Sequence, residues 1–227
     1  MQPKNTYINL SIILLFVIGI LINTSVHAQN QDKHGKASYV RVGIDAASIV
    51  RSTLSKSFSS YELHGELRWN KNLWMGIETG WGNAQLNNQK LSYTNQNMFL
   101  RVGFDKTFFQ GEFKGDMDNA FLGFRYGLAP IKRSALAYNI TDPVWGMVSG
   151  QLPSQNYFAH WIELTAGLRL EVIKNIFVGW NLRARTYANP SVIGRYAPLH
   201  IAGYGTGDKN PVFTYNFVIL YGIGNNR

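Results

Sequence analysis

The feature that most constrains the fold is an alternating pattern, with large apolar residues on one side and glycine and charged residues on the other. It covers residues 40–45 (VRVGID) and recurs at 100–105 (LRVGFD). Successive side chains of a β-strand point to opposite faces. In the first run the apolar residues therefore share one face, and Arg41, Gly43 and Asp45 share the other. Arginine beside glycine suits the narrow polar lumen of a membrane barrel, so the pattern predicts strands whose apolar side faces lipid.

Eight stretches combine this alternation with the length of a tilted membrane strand, about 9 to 11 residues. They are 38–47, 59–70, 73–82, 97–107, 119–130, 159–172, 176–187 and 211–223. Short connections at 70–72 and 173–175 alternate with longer segments near 48–58, 83–96, 131–158 and 188–210. We predict an all-β fold, an eight-stranded antiparallel up-and-down transmembrane β-barrel with long outer loops and both termini in the periplasm.

The amino-terminal segment has the features of a secretory signal. Lys4 precedes an apolar run at 8–22, and small residues close the segment at 26–28 (VHA). An uncleaved transmembrane anchor is the alternative, but polar residues interrupt the run, which is shorter than the roughly 20 apolar residues of a span. We predict a signal peptide at 1–28, a periplasmic tail at 29–37 and an outer-membrane barrel at 38–227.

Composition excludes several classes of function. Removing the signal takes one lysine from the 22 Lys+Arg and leaves the 13 Asp+Glu, a net charge of +8 that needs no nucleic acid to explain it. Cysteine is absent, which excludes disulfides, thiolate metal sites and a cysteine nucleophile. His34, His160 and His200 are dispersed without ligand-like spacing. We therefore expect neither a metal nor a cofactor.

The predicted inward faces carry a balanced set of charges and no lysine. The set consists of Arg41, Arg68, Arg101, Arg125, Arg169, Arg183 and Arg185, with Asp45, Glu62, Glu66, Glu78, Asp105, Glu163 and Glu171, and His64 lies among them. Arginine pairs with carboxylates through a planar fork and is less strongly hydrated than an ammonium group. Eight strands leave just enough interior for side chains to fill. We predict a lumen plugged by an arginine–carboxylate network.

The same residues allow a catalytic interpretation. Ser60, His64 and Glu62 share one face, and acyl transfer uses these residue types. A lipid-modifying enzyme that transfers or removes acyl chains of lipid A thus stays an alternative. Four residues along a strand span about 13 Å, too far for a direct bond between the serine and the histidine. A histidine within a charge network is favoured, and we predict no catalytic residue.

The predicted outer loops are basic and contain aromatic residues such as Tyr138, Trp145, Tyr157 and Trp161. Cations there can meet the phosphates of lipopolysaccharide, and the candidates are Arg51, Lys56, Lys132, Arg133 and Arg195. An ordinary solvated loop is the alternative. We predict a non-enzymatic barrel with a structural or surface-interaction role. A secreted lipocalin-like ligand binder is a further alternative, and it requires an apolar lumen.

Five runs resemble an uncharacterised family of Bacteroidota proteins known as a domain of unknown function, over nearly the whole mature chain. They are RVGID at 41–45, FLGFRYG at 121–127, HWIEL at 160–164, KNIFVGW at 174–180 and GYGTGD at 203–208. The resemblance implies an outer-membrane barrel and no established activity. The architecture is also similar to the small barrels of the OmpA and OmpX type. The expected partners are outer-membrane lipids, lipopolysaccharide and the barrel assembly machinery, and we expect a monomer.

Overall fold

The structure is a computed structural model that describes residues 39–110, 117–143, 146–189 and 198–224. The predicted signal peptide (1–28) and tail (29–37) lie outside the described residues and stay predictions. The barrel strands are β1 (Val40–Asp45), β2 (Phe58–Asn70), β3 (Leu73–Asn87), β4 (Leu91–Gln110), β5 (Asn119–Arg133), β8 (Gln155–Ile173), β9 (Ile176–Tyr187) and β12 (Val212–Ile223). The other elements are α1 (Ala46–Leu54), β6 (Leu136–Asp142), β7 (Gly146–Leu152), β10 (His200–Ile201) and β11 (Gly205–Thr206).

The eight barrel strands form a closed antiparallel ring. Neighbours pair in the order β1, β2, β3, β4, β5, β8, β9 and β12, and β12 pairs with β1 from Val40 opposite Ile223. This closure confirms the predicted eight-stranded antiparallel barrel. We call the end with the β2–β3 and β8–β9 turns the short-turn end, and the opposite end the loop end. The first and last strands begin and end at the short-turn end, so both barrel termini lie there.

The two faces of the strands have the predicted orientation. On β1, Val42 and Ile44 are 43% and 40% exposed on the outside, whereas Arg41 and Asp45 are fully buried inside. The same inversion holds around the ring, where the exposed large residues are apolar and the buried charged residues face inward. A lipocalin-like binder needs an apolar lumen, so this distribution of residues excludes that alternative.

The barrel wall rises further at the loop end than the sequence indicates. The segment 83–96, predicted as a loop, is mostly ladder, because β3 and β4 stay paired up to their turn. Ala84 and Tyr93 continue the inward face, while Gln85 and Thr94 take the outward positions. With polar residues outside, the apolar alternation ends before the strand does.

Two further differences lie at the loop end. Most of α1 lies in the predicted loop 48–58, and its first two residues end the predicted strand 38–47 early. The helix begins after Asp45, whose side chain accepts a hydrogen bond from the Ala47 amide at 2.9 Å. The segment 131–158 contains the β6–β7 hairpin, and β6 pairs with the start of β4. Within the part of the chain that the structure describes, no helix is long and apolar enough to span a membrane.

Candidate functional site

The centre of the lumen is occupied by a carboxylate that pairs with three arginines. Glu78 on β3 accepts from Arg101 at 2.6 Å and from Arg183 at 2.8 Å through Oε2, and its Oε1 lies 3.4 Å from Arg125 Nε. All four side chains are buried. The guanidinium groups come from β4, β5 and β9, so this cluster joins strands from around the ring.

A second cluster lies nearer the loop end. The Glu163 carboxylate is 2.6 Å from Arg183, 2.7 Å from Arg185 and 3.5 Å from Arg101. Arg101 also pairs with Glu62 at 2.5 Å. Because Arg101 and Arg183 contact both Glu163 and the central carboxylate, the two clusters form one network.

A third cluster lies nearer the short-turn end. Glu66 pairs with Arg169 at 2.6 Å and with Arg41 at 3.2 Å. Between this cluster and the centre, Arg125 donates to Asp105 at 2.6 Å. The ion pairs therefore extend along the lumen from one end of the barrel towards the other.

The glycines beside the arginines provide the space that these side chains occupy. A Cβ atom at Gly123 would lie 1.9 Å from Asp105 Oδ1, and one at Gly76 would lie 2.7 Å from Arg125 Nη2. Any larger residue at these two positions would displace an ion pair. This close approach accounts for the alternation of glycine with charged residues on the inward faces.

Aromatic and aliphatic side chains close the lumen at the short-turn end. The cluster consists of Tyr39, Trp74, Met117, Phe177, Val218 and Leu220, all buried. The Arg41 guanidinium lies 4.1 Å from the ring centroid of Trp74 and 4.3 Å from that of Phe177. Cation–π contacts of this kind join the apolar cluster to the ionic network.

Residues 198–211, which precede β12, close the loop end by folding into the barrel. Ile201, Ala202 and Tyr204 have no exposed surface. The Asn97 carboxamide donates to the Ala202 carbonyl at 3.1 Å and accepts from the Ala202 amide at 3.0 Å, as a paired peptide group would. We call residues 198–211 the plug segment.

The ionic network also holds the plug segment. Arg101 donates to the Gly203 carbonyl at 2.8 Å, and Arg185 donates to the Tyr204 carbonyl at 2.7 Å. The Tyr204 ring stacks on Tyr187 at 3.9 Å between centroids. The sequence predicts an outer loop here, near 188–210. The sequence signal for the inserted position is the short apolar stretch around Ile201 within a polar, glycine-rich segment.

Among the described residues, three of the predicted lumen charges lie apart from the network. Asp45 is buried but caps α1 and accepts from the Asn216 carboxamide, and its ion-pair partner is Arg51. Arg68 is half-buried near the short-turn end, with Nη1 3.3 Å from Met117 Sδ. Glu171 accepts from the Asn175 amide in the β8–β9 turn, at 2.6 Å. These residues stand at the ends of strands, where the lumen ends.

His64 lies in the lumen, but its surroundings do not support acyl transfer. Its Nδ1 is 3.7 Å from Glu78 Oε1, and its Nε2 is buried without a hydrogen-bond partner among the described residues. The Ser60 amide donates a hydrogen bond to the Ser52 hydroxyl, which in turn donates to the Ser60 carbonyl. Among the described residues no hydrogen bond joins Ser60 to His64, so the serine lacks an adjacent base.

Three inward groups could in principle coordinate a cation. Glu62, His64 and Glu78 offer ligand atoms that lie within 4.8 Å of one another. Both carboxylates already pair with Arg101, and Arg183 also contacts Glu78. The arginine charges at these distances oppose a divalent cation, so the arrangement favours ion pairing over metal binding.

The predicted lipopolysaccharide contacts differ in exposure. Lys56 and Lys132 are exposed. Arg51 is partly held at the rim, 3.6 Å from the Asp45 carboxylate and 5.8 Å from the Tyr215 ring centroid. Arg195 lies outside the described residues.

The prediction for Arg133 is wrong, because this side chain is buried. It donates to the Tyr157 hydroxyl at 3.2 Å and to the Pro153 carbonyl at 3.3 Å. The β5 ladder continues past the predicted end of the strand and gives position 133 the inward face. Tyr157 and Trp161 are likewise buried in β8 rather than displayed in a loop, and Trp145 lies outside the described residues.

We expect Gly203→Ala to release the plug segment. Gly203 has a φ of +82°, and a Cβ atom there would lie 2.4 Å from Phe99 Cγ. Hydrogen exchange of residues 198–211 should become faster as the backbone leaves its site. Gly146→Ala is the matched control, because its φ is +71° and the described residues leave open space around it. Unchanged exchange in Gly203→Ala would contradict the inserted position.

The plug segment should also loosen in acid. Burial lowers the pKa of His200 from 6.5 to about 4, opposed by the nearby Glu62 charge and assisted by Arg51 and Arg185. A lowered pKa means that the packed state favours the neutral ring. Its stabilisation is therefore complete above pH 6.5 and is lost as the pH falls towards 4. Hydrogen exchange of the segment should show this loss.

His200→Phe is the control for this pH dependence. Phenylalanine can preserve the stacking on Phe58, where the two rings lie 4.5 Å apart, but it cannot take up a proton. The loss of hydrogen-exchange protection of the plug segment between pH 6.5 and 4 should disappear in this variant. An equal pH dependence in both proteins would assign the effect to another group.

Several solved structures are similar to the chain at low sequence identity. Ail, the attachment invasion locus protein of Yersinia pestis, is 7% identical with a TM-score of 0.42, covering 83% of this chain and 100% of Ail. Neisserial surface protein A is 10% identical with a TM-score of 0.39, covering 83% and 96%. The β-barrel domain of Pseudomonas aeruginosa OprF is 9% identical with a TM-score of 0.35, covering 84% and 100%.

No curated protein matches the sequence of this chain. One family does match, over residues 5–225. That range includes all eight barrel strands and the plug segment. The chain belongs to the family described as Domain of unknown function (DUF6048).

Proposed function

We propose that this protein is an outer-membrane β-barrel that neither conducts nor catalyses, and that it acts through the surface it presents at its loop end. The observation that carries the proposal is the filled lumen. Side chains occupy it at the short-turn end, along the ionic network and around the plug segment. A barrel of eight strands has little interior to spare for water once these groups are in place.

The distribution of apolar surface supports the membrane location. Large apolar side chains are exposed around the outside of the ring, and charged side chains are buried inside it. In water this arrangement would expose far more apolar surface than a soluble monomer tolerates. With the short-turn end in the periplasm, both barrel termini lie there, where the barrel assembly machinery would meet the chain. The closed ring leaves no barrel edge strand, which fits a monomer.

A permanent pore would require large rearrangements. The plug segment would have to leave Arg101 and Arg185, and the ion pairs across the lumen would have to separate. Each buried charge left without its partner would cost several kcal/mol. The enzyme alternative lacks support for a similar reason, since His64 is enclosed by this network.

The surface at the loop end is the part available to partners. It carries exposed Lys56 and Lys132 and the β6–β7 hairpin, where Ile140 and Met147 are exposed. Cations at this level can meet the phosphates of lipopolysaccharide. Lipopolysaccharide and outer-membrane lipids are therefore the partners that we propose, and we propose no binding of nucleic acid.

Two measurements test the proposal. The purified protein should show no stable conductance in planar bilayers, because the lumen is filled. Lipid A mass spectra should be the same with the protein, without it, and with His64→Ala. A stable open channel would show that the protein is a pore. An acyl-chain change that disappears in His64→Ala would show that it is an enzyme.

A further inference from the structure

A row of polar side chains crosses the outer wall of the barrel near the loop end. Its members occupy outward positions on four adjacent strands, directly opposite one another in the sheet register. Asn83 on β3 faces Gln96 on β4, Gln96 faces Lys132 on β5, and Lys132 faces Asn156 on β8. We call these four residues the polar row. Neighbouring strands lie about 4.8 Å apart, so the row is roughly 14 Å wide.

A second row lies directly below, two residues nearer the short-turn end, and it is apolar. Trp81 faces Met98, and Pro130 faces Phe158. The β4–β5 register is the same on both sides of this point, which places Met98 opposite Pro130. Trp81, Met98 and Phe158 are 47%, 61% and 51% exposed. We call these residues the apolar row.

The side chains of the polar row do not stabilise the barrel through contacts with the described residues. All four side chains are exposed, and none makes a hydrogen bond or ion pair with another described residue. The inward asparagines of β4 differ, because Asn95 and Asn97 donate to the plug segment at 2.7 and 3.1 Å. The outward amides and the lysine are therefore free to bind a ligand.

We propose that the two rows bind the phosphorylated saccharide headgroup of an outer-leaflet glycolipid. This inference rests on the proposed outer-membrane location. Carboxamides both donate and accept hydrogen bonds, as sugar hydroxyls require. Lys132 supplies a charge-assisted bond to a phosphate, and neither row contains an acid that would repel one.

The position of the rows selects this ligand among anionic ones. On these four strands the apolar row is the upper edge of the exposed apolar surface, and aromatic residues such as Trp81 belong at the level of lipid headgroups. A group bound to the polar row lies immediately above the acyl chains. A glycolipid places its sugars and phosphates at that height, whereas a soluble saccharide has no reason to prefer it.

The test measures binding of bisphosphorylated lipid A to the folded full chain in detergent by native mass spectrometry. Lys132→Gln should weaken binding about fivefold, the effect of one cation near a charged surface. The triple variant Asn83→Ala, Gln96→Ala, Asn156→Ala should weaken it about tenfold through lost hydrogen bonds. Added salt should abolish the effect of Lys132→Gln and leave that of the triple variant.

Lys90→Gln is the matched control. Lys90 is exposed at the tip of the β3–β4 hairpin, six residues or about 20 Å from Gln96, so its removal should change binding little. Unchanged electrophoretic heat-modifiability would show that each variant is folded. Equal losses in Lys132→Gln and Lys90→Gln would overturn the proposal, and so would equal binding of phosphatidylglycerol. Those results would not affect the proposal that the barrel neither conducts nor catalyses. The glycolipid proposal and the proposed function can therefore fail independently.

Discussion

Replacing Glu78 with glutamine is expected to lower the free energy of unfolding by about 3 to 5 kcal/mol. The Glu78 carboxylate contacts Arg101, Arg125 and Arg183 in the buried centre of the lumen. A neutral amide can accept hydrogen bonds there, but the three arginines lose one buried negative charge and keep only the other carboxylates of the network. Urea titrations in lipid vesicles, followed by tryptophan fluorescence, measure this loss.

Glu171→Gln makes the same chemical change outside the network. Glu171 is half-buried, and the bond it accepts from the Asn175 amide can be accepted by a glutamine oxygen as well. The expected cost is within about 0.5 kcal/mol, as for other substitutions away from buried charges. Similar losses in the two variants would show that the lumen ion pairs do not stabilise the barrel.

The orientation of the strands could be predicted from the sequence because it follows from a period of two. Once Arg41 and Asp45 are assigned to the lumen, every second residue of β1 must face the lumen too, and the charged residues of the other strands orient those strands in the same way. The partners of each charge could not be predicted. Arg101 meets Glu62 and Glu163 because closure brings β2 and β8 towards β4 across the lumen, and that depends on the stagger of the ring.

The loop end differs most from what the sequence predicts. The plug segment has no periodic pattern, and its position is fixed by side chains far away in sequence, such as Asn97 and Arg101. Arg133 was assigned to a loop because the apolar alternation stops near Ala129, although the backbone ladder continues. Hydrophobic alternation is present only where the outer face of a strand is apolar. Where a strand continues with polar residues on both faces, the alternation no longer marks it as a strand.

Placing arginine at Val102 is expected to cost about 2 to 4 kcal/mol, the depth-dependent penalty near the bilayer midplane. Val102 is 45% exposed on the outside of β4, opposite Ile77 and Tyr126 on the adjacent strands. Thr94→Arg is the matched control on the same face of the same strand, eight residues or about 26 Å towards the loop end. Thr94 is exposed above the apolar row, so arginine there should cost no more than about 1 kcal/mol. Urea unfolding in vesicles compares the two variants, and equal costs would mean that the outer face at Val102 does not contact the hydrocarbon core.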